Sequence, residues 1–154
     1  GSLRIYVKKN LNTKVEKSVT SLLAEEEKFG IKEYKTYKNF AKKVYKIRKN
    51  VRKNILKLKS NNKKIIGYGS PAKATTALNF FGISNEINLI VEDNKFKHGK
   101  FLPGMKIPIF SKHKIKEKVD YILVLAWNFF DEIEKNNSDL AHKFISIKDL
   151  EKKD

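Results

Sequence analysis

The chain has 154 residues, enough for one ordinary hydrophobic core, and it contains no cysteine, which excludes disulfides and thiolate metal sites. It carries a net charge of +17, and its three histidines, His98, His113 and His142, lack ligand-like spacing, so no metal site is expected. No apolar stretch reaches the roughly 18 residues of a membrane span, and the N-terminus lacks the apolar core of a signal peptide, so a soluble, cytoplasmic chain without a membrane partner is expected.

The basic excess is local. Residues 28–64 hold fifteen Lys or Arg against one acid, Glu33, and the whole chain has 31 lysines but only three arginines, Arg4, Arg48 and Arg52. Arginine suits bidentate contact with phosphate and guanine, whereas lysine is a hydrated point charge. The segment therefore reads first as a solvated basic face that attracts anionic ligands, and only secondarily as a surface for nucleic acid, an acidic protein or lipid.

In chain order, Leu3-Arg4-Ile5-Tyr6-Val7 alternates as a half-buried strand does. A helical pattern runs over residues 15–29, with Gly30 at its end. In a second, longer helix Tyr37, Phe40, Val44, Ile47, Val51, Ile55 and Leu58 recur at steps of three and four. That single apolar stripe is expected to pack on a sheet or a neighbouring domain, and Ser60-Asn61-Asn62 ends the helix.

From Lys64 onward the pattern alternates between strand and helix. Residues 65–69 read as strand, 71–81 as a helix capped by Ser70 and closed by Gly82, and 87–91 as strand. Residues 93–109 form a long connection holding Gly99, Pro103-Gly104 and Pro108, and long connections are often functional. Residues 119–126 are a continuous apolar run of the kind buried on both faces of a parallel sheet. A helix over 130–136 and a last strand over 144–147 follow. This order predicts an α/β fold, a Rossmann-like three-layer open sheet, mostly parallel, preceded by two helices. Residues 1–63 are expected to be a strand and helical lead-in belonging to the same unit as the Rossmann-like domain of residues 64–154.

In an open α/β sheet, ligands bind beyond the carboxyl ends of the strands. Residues 67–73, Gly-Tyr-Gly-Ser-Pro-Ala-Lys, form a glycine turn between strand and helix there. Such a turn aims backbone N–H groups and a helix N-terminus at a ligand and favours phosphate, although its Gly-x-Gly-x-x-Ala spacing alone is a weak fingerprint. Three further segments converge on it: Glu92-Asp93-Asn94, the loop through Lys97, Gly99 and Pro103-Gly104, and Trp127-Asn128. The candidate binding residues are Gly67, Tyr68, Gly69, Ser70, Ala72, Lys73, Asp93, Lys97, Trp127 and Asn128. Amides around residues 69–72 are expected to hold a diphosphate with Lys73 or Lys97, Asp93 a ribose or sugar hydroxyl, and Tyr68 and Trp127 to offer aromatic faces. No residue is assigned a catalytic role.

These blocks, with Asp93-Asn94-x-x-Lys97-x-Gly99, Pro103-Gly104-x-x-Ile107-Pro108-Ile109 and Leu125-Ala126-Trp127-Asn128, resemble the C-terminal domain of sugar C-methyltransferases. That family comprises S-adenosylmethionine-dependent enzymes acting on nucleotide-linked keto-deoxy sugars. The segment from Ser2 to Val7 is similar to the stretch leading into this domain, so the resemblance covers nearly the whole chain. The sequence departs from the family at Ser70, Ala74, Lys95 and His98, where Ala, Gly, Pro and Gln are usual; His98 is a candidate polar contact.

The resemblance implies a three-part enzyme with a cysteine-rich zinc domain and a methyltransferase domain ahead of this one. The 154 residues contain neither, nor the family's catalytic Tyr/His/Glu segment. The expectation is a domain that binds the nucleotide sugar, a deoxythymidine-diphosphate-linked keto-deoxy sugar by resemblance, and is inactive alone. It needs no cofactor of its own, S-adenosylmethionine belonging to the missing domain. Two alternatives stand beside it: an NAD-type dinucleotide-binding fragment using the same turn, and a nucleic-acid or acidic-partner module working through residues 28–64.

Overall fold

The computed structural model describes residues 3–9, 12, 14–115 and 118–152. They divide into two compact units, residues 1–43 and 44–154. In the first unit, helix α1 (Lys17–Phe29) is closed by Gly30, whose N–H bonds the Glu26 and Glu27 carbonyls. Helix α2 (Tyr34–Ser60) begins there, and the Tyr37 hydroxyl donates to the Ile31 carbonyl. No residue of α1 is buried. The N-terminal strand expected at Leu3-Arg4-Ile5-Tyr6-Val7 is not formed: these residues are exposed and have no strand pairing among the described residues. Alternation records only a fitness for pairing, and a strand also needs an edge to pair with.

The second unit is built on a five-stranded sheet in the order β3-β2-β1-β4-β5. Strands β1 (Ile65–Tyr68), β2 (Ile90–Val91), β3 (Ile109–Phe110), β4 (Tyr121–Val124) and β5 (Phe144–Ile145) are all parallel. The side-chain period of two sorts each strand between two cores. Ile65, Ile90, Leu123 and Leu125 face a core shared with α2, with α3 (Ala72–Phe81) and with α5 (Ile147–Glu151). Ile66, Tyr68, Val91, Ile122 and Val124 face a second core closed by Ile133 of α4 (Phe130–Asn136). Three layers with β1 central and every connection a crossover give the expected Rossmann-like α/β architecture.

Within this unit the apolar stripe of α2 packs through Val51 and Ile55, both fully buried, with Ile47 and Leu58 beside them. Asn50 and Asn54 donate side-chain hydrogen bonds to the Glu151 and Leu150 carbonyls, and Arg52 to that of Gly82. Arg48 lies over the Phe80 ring at 5.5 Å. Two of the three arginines therefore hold helices in place and do not furnish an open anion-binding surface. Farther up the stripe Tyr37 and Phe40 remain exposed.

Three local features differ from the sequence reading. The segment between β2 and β3 is folded back on itself, with Phe101 bridged antiparallel to Pro108, Leu102 N–H bonded to the Ile107 carbonyl at 2.9 Å, and both Leu102 and Ile107 buried. Its end supplies β3, too short to show periodicity. The strand over 144–147 stops at Ile145, because Ser146 and Asp149 form a reciprocal capping box that starts α5. At the start of α3 the N-cap is Pro71, with no side-chain cap, so Ser70 does not serve that helix as expected.

Candidate functional site

The connections diverge between β1 and β4, since β1 leads through α3 to β2 on one side while β4 and β5 lie on the other. Such a switch point leaves a crevice at the carboxyl ends of the strands. Gly69 makes the turn out of β1 at φ 84°, and a Cβ there would lie 2.8 Å from that of Ala126, so only glycine fits against the end of β4. Gly67 is a packing position: a Cβ would stand 2.9 Å from Leu125 Cδ1 and 3.0 Å from Ile90 Cγ1, inside the sheet's core.

Two cavities flank this point. One, of about 320 Å³, is lined by the expected residues Tyr68, Gly69, Ser70, Asp93 and Lys97, together with Glu92 and Glu132. The other, of about 620 Å³, is lined by Trp127 and Asn128 with Phe81, Phe130, Asp131, Ser146, Ile147 and Lys148. The residues expected at one site are thus divided between two. Ala72 and Lys73 begin α3, and the Lys73 ammonium lies 4.5 Å from the centre of the Trp127 ring.

The glycine turn already holds an anion, the side chain of Glu92. Its Oε2 accepts from the Ser70 N–H at 2.8 Å, from the Ser70 hydroxyl at 2.5 Å and from Lys97 Nζ at 3.3 Å, while Oε1 accepts from the Asn94 N–H at 3.1 Å. Burial raises the pKa of this carboxyl, but the bonds from Ser70 and Asn94 and the Lys97 charge outweigh it and hold it at about 2. Lys97 also donates to the Ser70 carbonyl at 3.1 Å. His98 donates from Nε2 to the Glu92 carbonyl at 2.6 Å, which ties the following loop to the same residue.

The amides expected to cradle a diphosphate are therefore only partly open. Gly69 N–H is given to the Val91 carbonyl at 2.7 Å and Ser70 N–H to Glu92, and Pro71 has none. The N–H groups of Ala72 and Lys73, in the first turn of α3, have no acceptor among the described residues.

Asp93 is positioned by residues behind it. The Tyr68 hydroxyl donates to its carboxylate, 2.8 and 2.9 Å from the two oxygens, and accepts from Asn137 Nδ2 at 3.1 Å. Asn137 is itself 3 % exposed and anchored on the Ile133 carbonyl at 2.8 Å. Burial, then the hydrogen bond to Asp93, push the Tyr68 hydroxyl well above its ordinary pKa, so it remains a donor. With 1 % exposure and its ring edge-on to Phe144, Tyr68 offers no face to a ligand. Where an aromatic platform was expected, the ring is covered and only the hydroxyl reaches Asp93. Asn137 has no signal in the sequence, because an asparagine after a short helix reads as a turn residue.

The smaller cavity therefore presents carboxylates, with Lys97 as its one cation among the lining residues, within a chain of net charge +17. Asp93 is exposed, and Tyr68 is its hydrogen-bond partner among the described residues, so it keeps acceptor capacity for hydroxyl donors.

Comparison with known proteins gives this geometry a family. A family model described as C-methyltransferase C-terminal domain matches residues 1–146. The chain belongs to that family. Among curated proteins, this C-methyltransferase C-terminal domain is similar to the C-methyltransferase NovU of Streptomyces niveus, 36% identical over 127 residues. The match covers 81% of this chain and 30% of the relative, so the domain spans about a third of the length of the curated protein it matches.

Proposed function

We propose that this C-methyltransferase C-terminal domain holds the nucleotide-linked sugar on which the complete enzyme acts, in deoxysugar biosynthesis. The observation that carries the reading is the Asn137–Tyr68–Asp93 chain, which fixes a carboxylate at the mouth of a crevice at the switch point of the sheet. Asp93 accepts sugar hydroxyls, with Glu132 lining the same cavity and Lys97 as the local donor. The diphosphate lies beyond the Glu92-filled part of the turn, against the N–H groups of Ala72 and Lys73 and the Lys73 ammonium. A deoxythymidine-diphosphate-linked keto-deoxy sugar satisfies this arrangement, and a water-soluble ligand of this kind fits a cytoplasmic site of action. S-adenosylmethionine and the methyl transfer belong to the remainder of the enzyme, so the domain alone binds without reacting.

A dinucleotide reading is weaker on the same geometry, because the pyrophosphate of such a cofactor would meet the Glu92 carboxylate in the turn. Isothermal titration of the 154-residue chain with nucleoside-diphosphate sugars tests the proposal. Saturable binding, weakened about tenfold by Asp93→Asn, which removes a charge-assisted acceptor, is the expected result. Absence of heat with every nucleoside-diphosphate sugar up to millimolar concentration refutes it.

A further inference from the structure

Helix α2 carries eleven Lys or Arg and no Asp or Glu. Its buried residues, Val51 and Ile55, lie on one face. On the opposite face Lys35, Lys38, Lys42, Lys46, Lys49 and Lys53 follow one another at steps of three and four. At the rise of an α-helix this row is about 27 Å long. All six lysines are exposed, and none has an ion-pair or hydrogen-bond partner among the described residues. Like charges one turn apart repel, and a helix without acids holds nothing to offset them. An anion that repeats along a line relieves that repulsion over the whole row.

The side chains of α2 that are able to read bases are engaged elsewhere. Arg48 lies over the Phe80 ring and Arg52 donates to the Gly82 carbonyl. Asn50 and Asn54 donate to the carbonyls of Glu151 and Leu150. Lysine remains, a hydrated point charge that meets phosphate without a demand on geometry. A second copy of the chain would bring a row of like charge. Insertion into lipid needs an apolar face beside the charge, and the apolar stripe of α2 over residues 47–58 is packed into the core. A nucleic-acid duplex carries one charge per about 1.7 Å of axis, so a straight row of six cations meets phosphate along its length and releases condensed counterions.

We propose that the lysine row of α2 is a docking surface for the phosphodiester backbone of a duplex nucleic acid, bound without regard to base sequence. The scarcity of arginine, which counts against the reading of bases, leaves backbone contact open. The proposal is independent of the nucleotide-sugar reading. Its ligand is a polyanion held by charge, whereas the smaller cavity presents carboxylates that repel one.

The test measures fluorescence anisotropy of labelled duplexes of roughly 20 base pairs with the full chain, from about 50 to 200 mM salt. Two unrelated DNA sequences and an RNA duplex are used, and the RNA arm identifies which duplex is preferred. Expected are equal affinities for the two DNA sequences and a loss of about a thousandfold in affinity across that salt range, as six phosphate contacts require. The triple variant Lys46→Gln, Lys49→Gln, Lys53→Gln should halve the slope of log affinity against log salt, to about −3. A control triple, Lys95→Gln, Lys100→Gln, Lys114→Gln, removes the same charge from exposed positions elsewhere and should leave the slope close to the parent's. Circular dichroism of both triples confirms that α2 is retained. Equal losses in the two triples would show that net charge acts and not the row, and would overturn the proposal. So would the absence of binding at the lowest salt, a tenfold preference between the DNA sequences, or binding to phosphatidylglycerol vesicles as tight as to the duplexes.

Discussion

Replacing Glu92 by glutamine keeps the shape of the side chain and removes the charge that gathers the Ser70 N–H, the Ser70 hydroxyl, the Asn94 N–H and Lys97. The folded carboxyl titrates at about 2 against an ordinary 4.5. By linkage that depression corresponds to at most about 3 kcal/mol. Lys97 is 38% exposed, so solvent screening reduces the realised contribution to about 1–2 kcal/mol. Because the folded pKa is depressed, the stabilisation is present in full above 4.5 and is lost as pH falls toward 2. Urea unfolding at pH 7 should therefore find Glu92→Gln less stable by about 1–2 kcal/mol, which a thermal melt would show as a fall in Tm of roughly 2–8 °C. By pH 3 the gap to the parent chain should shrink by more than half, since below 4.5 the unfolded parent binds the proton that its folded carboxyl still excludes. Equal stability at pH 7, or a gap that persists undiminished at pH 3, would refute the reasoning that Glu92 is the anion of the turn.

Asn137→Ala removes the donor to both Tyr68 and the Ile133 carbonyl from a position 3 % exposed, and is expected to cost about 2–3 kcal/mol. Chemical denaturation measures it, and a loss below ~0.5 kcal/mol contradicts the role given to this residue. On α2, Ile55→Ala should destabilise the sheet-bearing unit by about 2–5 kcal/mol, whereas Phe40→Ala should change that unit's stability little, because only Ile55 is buried. Comparable effects of the two in thermal melts would contradict the division of the stripe.

Much of the fold was legible because its signals are steric and periodic. The stripe through Val51 and Ile55, the run ending in Leu125, and the glycines at 67 and 69 each encode a packing demand that only a sheet with covering helices meets. β3 escaped because two residues, Ile109 and Phe110, cannot display a period. The site was less legible, since its chemistry depends on where side chains point. Nothing local shows that Glu92 turns back to Ser70 while Asp93 faces the crevice, or that Trp127 and Ala126, adjacent in the chain, line different cavities. Tyr68 alternates with Gly67 and Gly69 and could be placed on the strand, yet its burial against Phe144 comes from a segment far along the chain.

Amide chemical-shift mapping of the full 154-residue chain, titrated with a nucleoside-diphosphate-linked deoxysugar, is the most direct test of the binding role. Saturable shifts should concentrate at Gly69, Ser70, Ala72 and Lys73, at Asp93 and Lys97, and along residues 126–136. Shifts confined to the lysine face of α2, or none at millimolar ligand, would contradict a substrate-holding crevice at the carboxyl ends of β1 and β4.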